Sequence, residues 1–462
     1  MPTTPDTYRA TSPWAAHEMR TASFGDQRLM KRAALMLTQM LEHPEASILE
    51  TCGSVATAKA AYQFFANAGV TPTTILAPHR DATIERCGRH RIVVIAQDTT
   101  EVTFNGLQQT VGLGRLRHNS SHGLLVHTLL AMTVETELLG ILGQKQWTRE
   151  PKSPETTPSS SRPIAEKESI RWLDGVVEVA AALPKQTQAI VVADREADIF
   201  ELFAQQRPVN LDIVIRVAQN RRVLGPLKTT ATALEQAPEL GCLVVSVSRG
   251  NARQPRRARC VITVIEVEIC PPHYQAGSSV RLRFVRIREI DPPEKTKGID
   301  WILATTLAVE DLATAERVIG YYSQRWVIER FHYTLKSGCR IEQLQLEEYQ
   351  RLSNAIACYS IIAWRLLQMT YVARANPEAP CTEILTSEQW HILYQYHHRS
   401  LSLPTTIPST KQAITWIAQL GGYLARNADP PPGVKVLWRG LRTFDDILEG
   451  WILARSLYAS SP

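Results

Sequence analysis

Two short apolar runs, each closed by an aspartate, constrain this chain most: RIVVIAQD at 91–98 and QAIVVAD at 188–194. Runs so short and so rich in Val and Ile read as strands buried on both faces of a sheet. Between them lie EVTF, LLVHTLLAMTV and LLGILGQKQW, spaced closely enough for an antiparallel meander. Residues 165–184 then carry helical periodicity, EADIFELFAQQ reads as a further helix and LDIVIRV as a further strand. A meander followed by alternating helix and strand predicts an α/β core with a mixed sheet.

The flanks differ from this core. The first 85 residues read as helical, with one helix over Arg28–Leu41 carrying Arg28, Lys31 and Arg32 near its start, and another over Ala56–Ala66. From about residue 218 to 300, VVSVS, RCVITVIEVEI and VRLRFVRIREI alternate apolar and polar, as an antiparallel β insertion with one wet face does. Beyond WILATTL the pattern is helical and aromatic-rich. The Pro- and Ser-rich stretch 151–163 cannot be a helix interior or a central strand, and reads as an exposed loop.

Composition removes several classes. A hydrophobic share of 44% supports a real core and excludes wholesale disorder. No apolar run approaches the ~18 residues of a membrane span, and the first residues lack the apolar segment of a secretory leader. Lys and Arg exceed Asp and Glu by 51 to 45, which admits an anionic partner without requiring one. The eight cysteines form no C-x-x-C pair and no zinc spacing with His, so they predict buried free thiols in a reducing, cytoplasmic setting. His118, His122 and His127 likewise show no metal spacing.

Asp98 and Asp194 close the two strands, and ligands of open α/β sheets collect beyond strand ends. An aspartate there equally serves to start a turn. The segment YSQRWVIERFHYTLKSG is more informative. As one helix, it places Tyr322, Arg325, Glu329 and Lys336 within an arc of about 60° and Val327, Ile328, Phe331 and Leu335 on the opposite side. A carboxylate between two cations suits a phosphate-handling face, while a solvated Arg325–Glu329 pair is the plainer reading. If Asp98, Asp194 and Glu329 converge, their hard oxygens suit two Mg²⁺ ions, with Mn²⁺ as substitute, for in-line displacement at phosphorus. In the insertion, Arg249, Arg253, Arg256, Arg257 and Arg259, with Arg281, Arg283, Arg286 and Arg288, suggest a basic face; a solvated hairpin tip is the alternative.

These residues resemble the bacterial cut-and-paste DDE transposases of the insertion-sequence-four group, which includes the transposase of transposon Tn-five. The likeness is carried by ASFGDQRLMKRAA and AYQFFAN, by QDTTEVTF, EKES and ADREADI, by the spacing Tyr-x2-Arg-x3-Glu-x6-Lys, and by IAQLGGYLA. It implies a ribonuclease-H-like mixed-sheet core over 86–375 holding the β insertion. It also implies an N-terminal helical domain over 1–85 for DNA-end recognition and a C-terminal helical domain over 376–462 for dimerisation. It assigns Asp98, Asp194 and Glu329 as metal ligands and sets Tyr322, Arg325 and Lys336 on DNA phosphates. Arg28, Lys31 and Arg32 fall to end recognition and Arg216 to DNA. Trp301 falls where the family stacks a flipped base, though the start of a strand also suits a core indole. Trp326 matches the family beside the polar arc, where it touches DNA or simply packs. The family acts as a homodimer on paired transposon ends, cutting through a hairpin intermediate and joining the freed 3′-OH to target DNA.

Two departures stand out: SGCRIEQLQLEE after Lys336 is poor in bases, and Tyr333 stands where the Tn-five enzyme has a lysine. They bear on local DNA contacts, not on the acids. Three other classes compete: an end-binding regulator without catalysis, a nuclease without strand transfer, and a carboxylate-pair sugar hydrolase.

Overall fold

The computed structural model describes residues 11–104, 106, 110–117, 121–149, 162–247, 256–273, 277–293, 298–427 and 429–459. Most of the 151–163 stretch, His118, Arg249 and Arg253 lie outside the described residues. Five helices open the chain: α1 (Pro13–Glu18), α2 (Gln27–Glu42), α3 (Ile48–Cys52), α4 (Val55–Ala66) and α5 (Pro72–Cys87). Their starts are written in the sequence, because Ser12, Asp26, Ser47, Ser54 and Thr71 each accept a backbone N–H of the first turn.

The core follows as β1 (Ile92–Thr103), β2 (Gly114–Arg115), β3 (His122–Thr133), β4 (Leu138–Trp147), α6 (Ile170–Ala182), β5 (Gln188–Ala193), α7 (Phe200–Ala204), β6 (Leu211–Arg216) and α8 (Thr230–Gln236). Then come β7 (Glu239–Val247), β8 (Arg256–Ile269), β9 (Val280–Glu289), β10 (Asp300–Thr305), α9 (Leu312–Ser323), α10 (Trp326–Tyr333) and α11 (Tyr349–Ala375). Helices α12 (Ser387–His398), α13 (Thr410–Leu420) and α14 (Val434–Ala459) end it. One sheet runs in the order β2-β3-β1-β5-β6-β10-β9-β8-β7, with β4 on β3. It is mixed: β1, β5 and β6 are parallel and their outer neighbours antiparallel.

One expectation changes here. RIVVIAQD and EVTF are one strand, so Asp98 lies inside β1 rather than at its end. The strand continues because β3 pairs with it as far as Thr103, whereas its parallel partner β5 stops at the Ala96–Val192 rung. The insertion strands are antiparallel as read, and they extend the core sheet, since β10 pairs with β6 on one side and β9 on the other. Their basic face is largely neutralised. Arg281 and Arg283 pair with Glu266, Arg286 with Asp300 and Arg256 with Glu289. Of the described insertion arginines, Arg257, Arg259 and Arg288 carry no ion pair.

The period-2 alternation of strands sorts side chains into two cores. Val93, Ile95, Val191 and Ile213 pack toward α6 and α7 with Trp172 and Phe200. Val94, Ala96, Ile190, Val192 and Val214 face the other way, with Tyr322, Ile328, Phe331 and Ile356 of α9–α11. Helix α11 is the one described helix long and apolar enough to cross a membrane, and 89% of its apolar window is buried in this core. It also seats the N-terminal helices: Asn354, fully buried, donates from Nδ2 to Phe65 O (2.9 Å) and Val70 O (2.8 Å). The cysteines are unpaired, and most are buried as expected, but Cys242 is exposed.

Candidate active site

Side-chain parity carries two aspartates to one place. Residues 94 and 96 of β1 and 190 and 192 of β5 face α9–α11, so Asp98 and Asp194, two residues further along each strand line, fall to that same side. The last parallel rung joins Ala96 to Val192, so both acids sit one pleat beyond it at matching height. Asp98 is held by the N–H of Thr99, which donates to Oδ1 at 2.8 Å. Asp194 caps the turn that follows β5, accepting the N–H of Glu196 at 2.8 Å.

The third acid comes from the helical layer. Arg325, buried between α9 and α10, donates from Nη2 to Glu329 Oε1 at 2.6 Å, and its Nη1 lies 4.0 Å from Asp98 Oδ2. Burial works against the guanidinium's charge, yet Tyr322, Glu329 and Asp98 outweigh it and hold Arg325 firmly protonated. Asp98 is the opposite case. Burial, then the nearby Asp194 charge, pushes its carboxyl up to about 7 despite Thr99 and Arg325, with Glu329 adding to the repulsion. The three acids thus share one electrostatic field. They do not form a closed ligand set, since no group of three His, Cys, Asp or Glu side chains is within reach of one ion among the described residues. Glu329 is turned onto Arg325 instead. The donor chemistry still fits hard divalent cations: clustered carboxylates that repel one another are relieved by such a charge.

The signature segment is not one straight helix. Helix α9 stops at Ser323, α10 starts at Trp326, and Thr334–Gly338 forms a π turn. The apolar stripe of Val327, Ile328, Phe331 and Leu335 is buried as expected. Tyr322 is not on an open polar face: it is 1% exposed, packed edge-on against Trp301 with ring centres 5.8 Å apart. The break between α9 and α10 is what turns it inward while Glu329 stays partly open. Arg216 lies over the Trp301 ring at 5.1 Å, and Arg325 over that of Trp326 at 5.3 Å. Arg216, Trp301, Tyr322, Arg325 and Trp326 therefore form one aromatic–cationic row. Trp326, 53% exposed, is its open end. Lys336 donates to Glu101 O at 2.8 Å and pairs with Glu342 at 3.3 Å, so it ties the π turn to the far end of β1. Arg28 and Lys31 are exposed and Arg32 half-buried on α2, and no contact brings them to the acids.

Behind the acids stands a polar layer that sequence reasoning missed. Arg171 of α6 donates to Thr99 Oγ1 (2.9 Å) and Glu196 Oε2 (3.0 Å), the neighbours of Asp98 and Asp194. Thr99 Oγ1 bonds His127 Nδ1 (2.9 Å), and His127 Nε2 bonds Gln97 Oε1 (3.2 Å). Gln97 Oε1 can only accept, so Nε2 carries the His127 proton and Thr99 donates to Nδ1. Burial, reinforced by Arg171, keeps this imidazole neutral. His332 also lies near, Nδ1 3.9 Å from Asp98 Oδ2, and burial pushes its pKa down to about 3. The available signal was the order of the motifs: Thr99 belongs to DTT and Glu196 to DREAD. Glu168 of EKES joins the same layer through Arg171, which donates to its carbonyl.

Three family models match the chain. One described as transposase DNA-binding covers residues 11–70, one described as transposase DDE domain covers 173–365, and one described as transposase Tn5 dimerisation domain covers 361–461. The DDE match includes Asp194 and Glu329 and begins after Asp98.

Proposed function

From a chain that is a Tn5-like DDE transposase, which binds DNA and forms homodimers, we propose that Asp98, Asp194 and Glu329 are its catalytic acids. The observation that carries this is the matched height and parity of Asp98 and Asp194 one pleat beyond the parallel pairing, with Glu329 delivered beside them by Arg325. The three acids would hold divalent ions, Mg²⁺ with Mn²⁺ as substitute, which when bound stabilise the attacking and leaving oxygens of an in-line displacement.

The chain's own residues do the rest. Asp98 and Asp194 are fixed by backbone N–H groups and by the Arg171 layer, so they need no reordering to serve as ligands. Arg325 neutralises Glu329 at rest and, once Glu329 turns to the acids, is left facing the phosphate of the bound strand. Trp301, steadied by Tyr322 and Arg216, offers a ring on which a base turned out of the duplex can stack. Water displaces the 3′ oxygen at the transposon end, that 3′-OH displaces the opposite strand to close a hairpin, water reopens it, and the 3′-OH joins target DNA. Each step is the same displacement, so one site serves all four.

The first 85 residues carry the end-recognition surface, with Arg28 and Lys31 exposed and Arg32 half-buried on α2. Domain limits near 85 and 375 separate this region and the dimerising helices from the core. The protein works in the bacterial cytoplasm at the nucleoid. The test is a labelled duplex bearing the native element end, incubated with Mg²⁺. A hairpin-sized product that converts to a joined product supports the reading. Nicks without a hairpin favour a simple nuclease, and binding without cutting in Mg²⁺ or Mn²⁺ favours a silent regulator.

A further inference from the structure

Beside the acid cluster, on the far side of Trp326, runs an open groove of about 830 Å³. Its walls come from the start of β1, the turn after β3, α9, α10 and the end of α11. Three arginines line it, Arg317, Arg330 and Arg374, and among the described residues no carboxylate does. All three are exposed. Neither Arg317 nor Arg330 makes an ion pair among the described residues; Asp311 feels the field of Arg317 but caps α9 instead. Arg374 donates to Pro432 O at 3.3 Å and lies 5.5 Å over the ring of Tyr371. Burial and then the like charge of Arg330 lower its proton affinity, so the two guanidiniums feel each other.

Like charges gathered without a counter-charge signal an anion that is absent at rest. The groove narrows down which anion. The exposed Trp326 lines it together with the arginines, and a lone phosphate would leave that ring unused. Cations beside an exposed indole suit a polynucleotide strand, whose phosphates and bases take both. At Gly320 the wall borders open space, since a Cβ there would meet nothing within 4 Å. Trp326 connects the groove to the chemistry, because Arg325 lies over its ring while bonding Glu329.

We propose that Arg317, Arg330 and Arg374 form a second DNA-binding site, which holds the segment running past Trp326 away from the reacting phosphate. This rests on the acids being the catalytic centre. Two pieces of DNA share that chemistry: the donor flank before cleavage and the target after it.

The experiment uses the full chain, wild type and Arg330→Gln/Arg374→Gln, with Arg317→Gln added in a third form. Binding is measured over a salt series on a flanked end and on a pre-cut end, and joining of pre-cut ends to a plasmid is measured separately. Because the arginines are exposed, melting should be unchanged. If the flank lies in the groove, the double variant binds the flanked end about tenfold more weakly, with a shallower salt slope, and the pre-cut end normally. If the target lies there, both ends bind normally and joining falls about tenfold, while Arg330→Lys/Arg374→Lys retains most of it. Unchanged binding and joining in all variants would overturn the proposal. The binding arm needs no cleavage, so an inactive wild type would sink the catalytic reading without deciding this one.

Discussion

Asn354 is where the N-terminal helices are fastened to the core, and its loss should be readable there. Its Nδ2 donates to Phe65 O and Val70 O, the carbonyls that close α4 and the following turn, in a site of zero exposure. Asn354→Ala leaves both carbonyls buried without a donor. Each such group costs about 1–3 kcal/mol, and a water entering the space recovers part of it, so a local loss of about 2–4 kcal/mol is expected. The chain has several units and need not unfold in one step, so a single melting temperature is a poor readout. Amide hydrogen exchange is the better one. At 2 kcal/mol, amides of α4 and the turn to Val70 should exchange roughly 30-fold faster, while β1 and β5 keep wild-type rates. Gln350→Ala is the control, since Gln350 donates to Asn354 Oδ1 and its loss leaves Phe65 O and Val70 O with their donor. Unchanged exchange over 55–70 in a folded Asn354→Ala protein would refute the argument that these two bonds hold the region down.

Three more outcomes follow from the structure. Glu18, His79 and Arg86 form a buried cluster: Ile141 N–H donates to His79 Nε2 (3.0 Å), so Nδ1 carries the proton given to Glu18 (2.7 Å), and Arg86 pairs with the same carboxylate (2.6 Å). Burial opposes the Glu18 charge, but His79 and Arg86 outweigh it and lower its pKa from 4.5 to about 2, a contribution of about 3 kcal/mol present above pH 4.5 and lost as pH falls toward 2. Burial also holds His79 below its usual 6.5, so the unfolded chain takes that proton first and stability declines from about pH 6.5 downward. Urea midpoints should therefore fall from about pH 6.5 downward in both wild type and Glu18→Gln through His79, and below pH 4.5 fall further in the wild type than in Glu18→Gln; parallel curves below pH 4.5 would contradict this. Gly175→Ala puts a Cβ 2.5 Å from Gln97 Oε1, which should cost about 1–3 kcal/mol, seen as a lower urea midpoint, and disturb the His127 bond. Trp451 and Ile452 are exposed on α14, inside the dimerisation match, so Trp451→Glu should shift the protein toward monomer in light scattering; an unchanged dimer would place the interface elsewhere.

Much of this was legible because strands and helix starts are written locally. The period of two along RIVVIAQD and QAIVVAD already decides that residues 94, 96 and 98 share a face of their strand, and that 190, 192 and 194 share a face of theirs. What it could not give was where pairing stops. Asp98 reads as a strand end because the apolar run ends there, yet β3 carries the strand on through polar residues. The signature helix was legible in its apolar stripe, which periodicity controls, and not in Tyr322, whose burial depends on a break no Gly or Pro announces. The Arg171–Thr99–His127–Gln97 layer joins residues from α6, β1 and β3, and long-range polar pairing leaves no period to read.

The central claim is that Asp98, Asp194 and Glu329 act as one catalytic set, and cleavage of a labelled native-end duplex in Mg²⁺ by three single variants tests it most directly. Asp98→Ala, Asp194→Ala and Glu329→Ala should each bind the duplex as tightly as wild type and release neither nick nor hairpin. Wild-type cleavage by any one of them would remove that residue from the site and contradict the account.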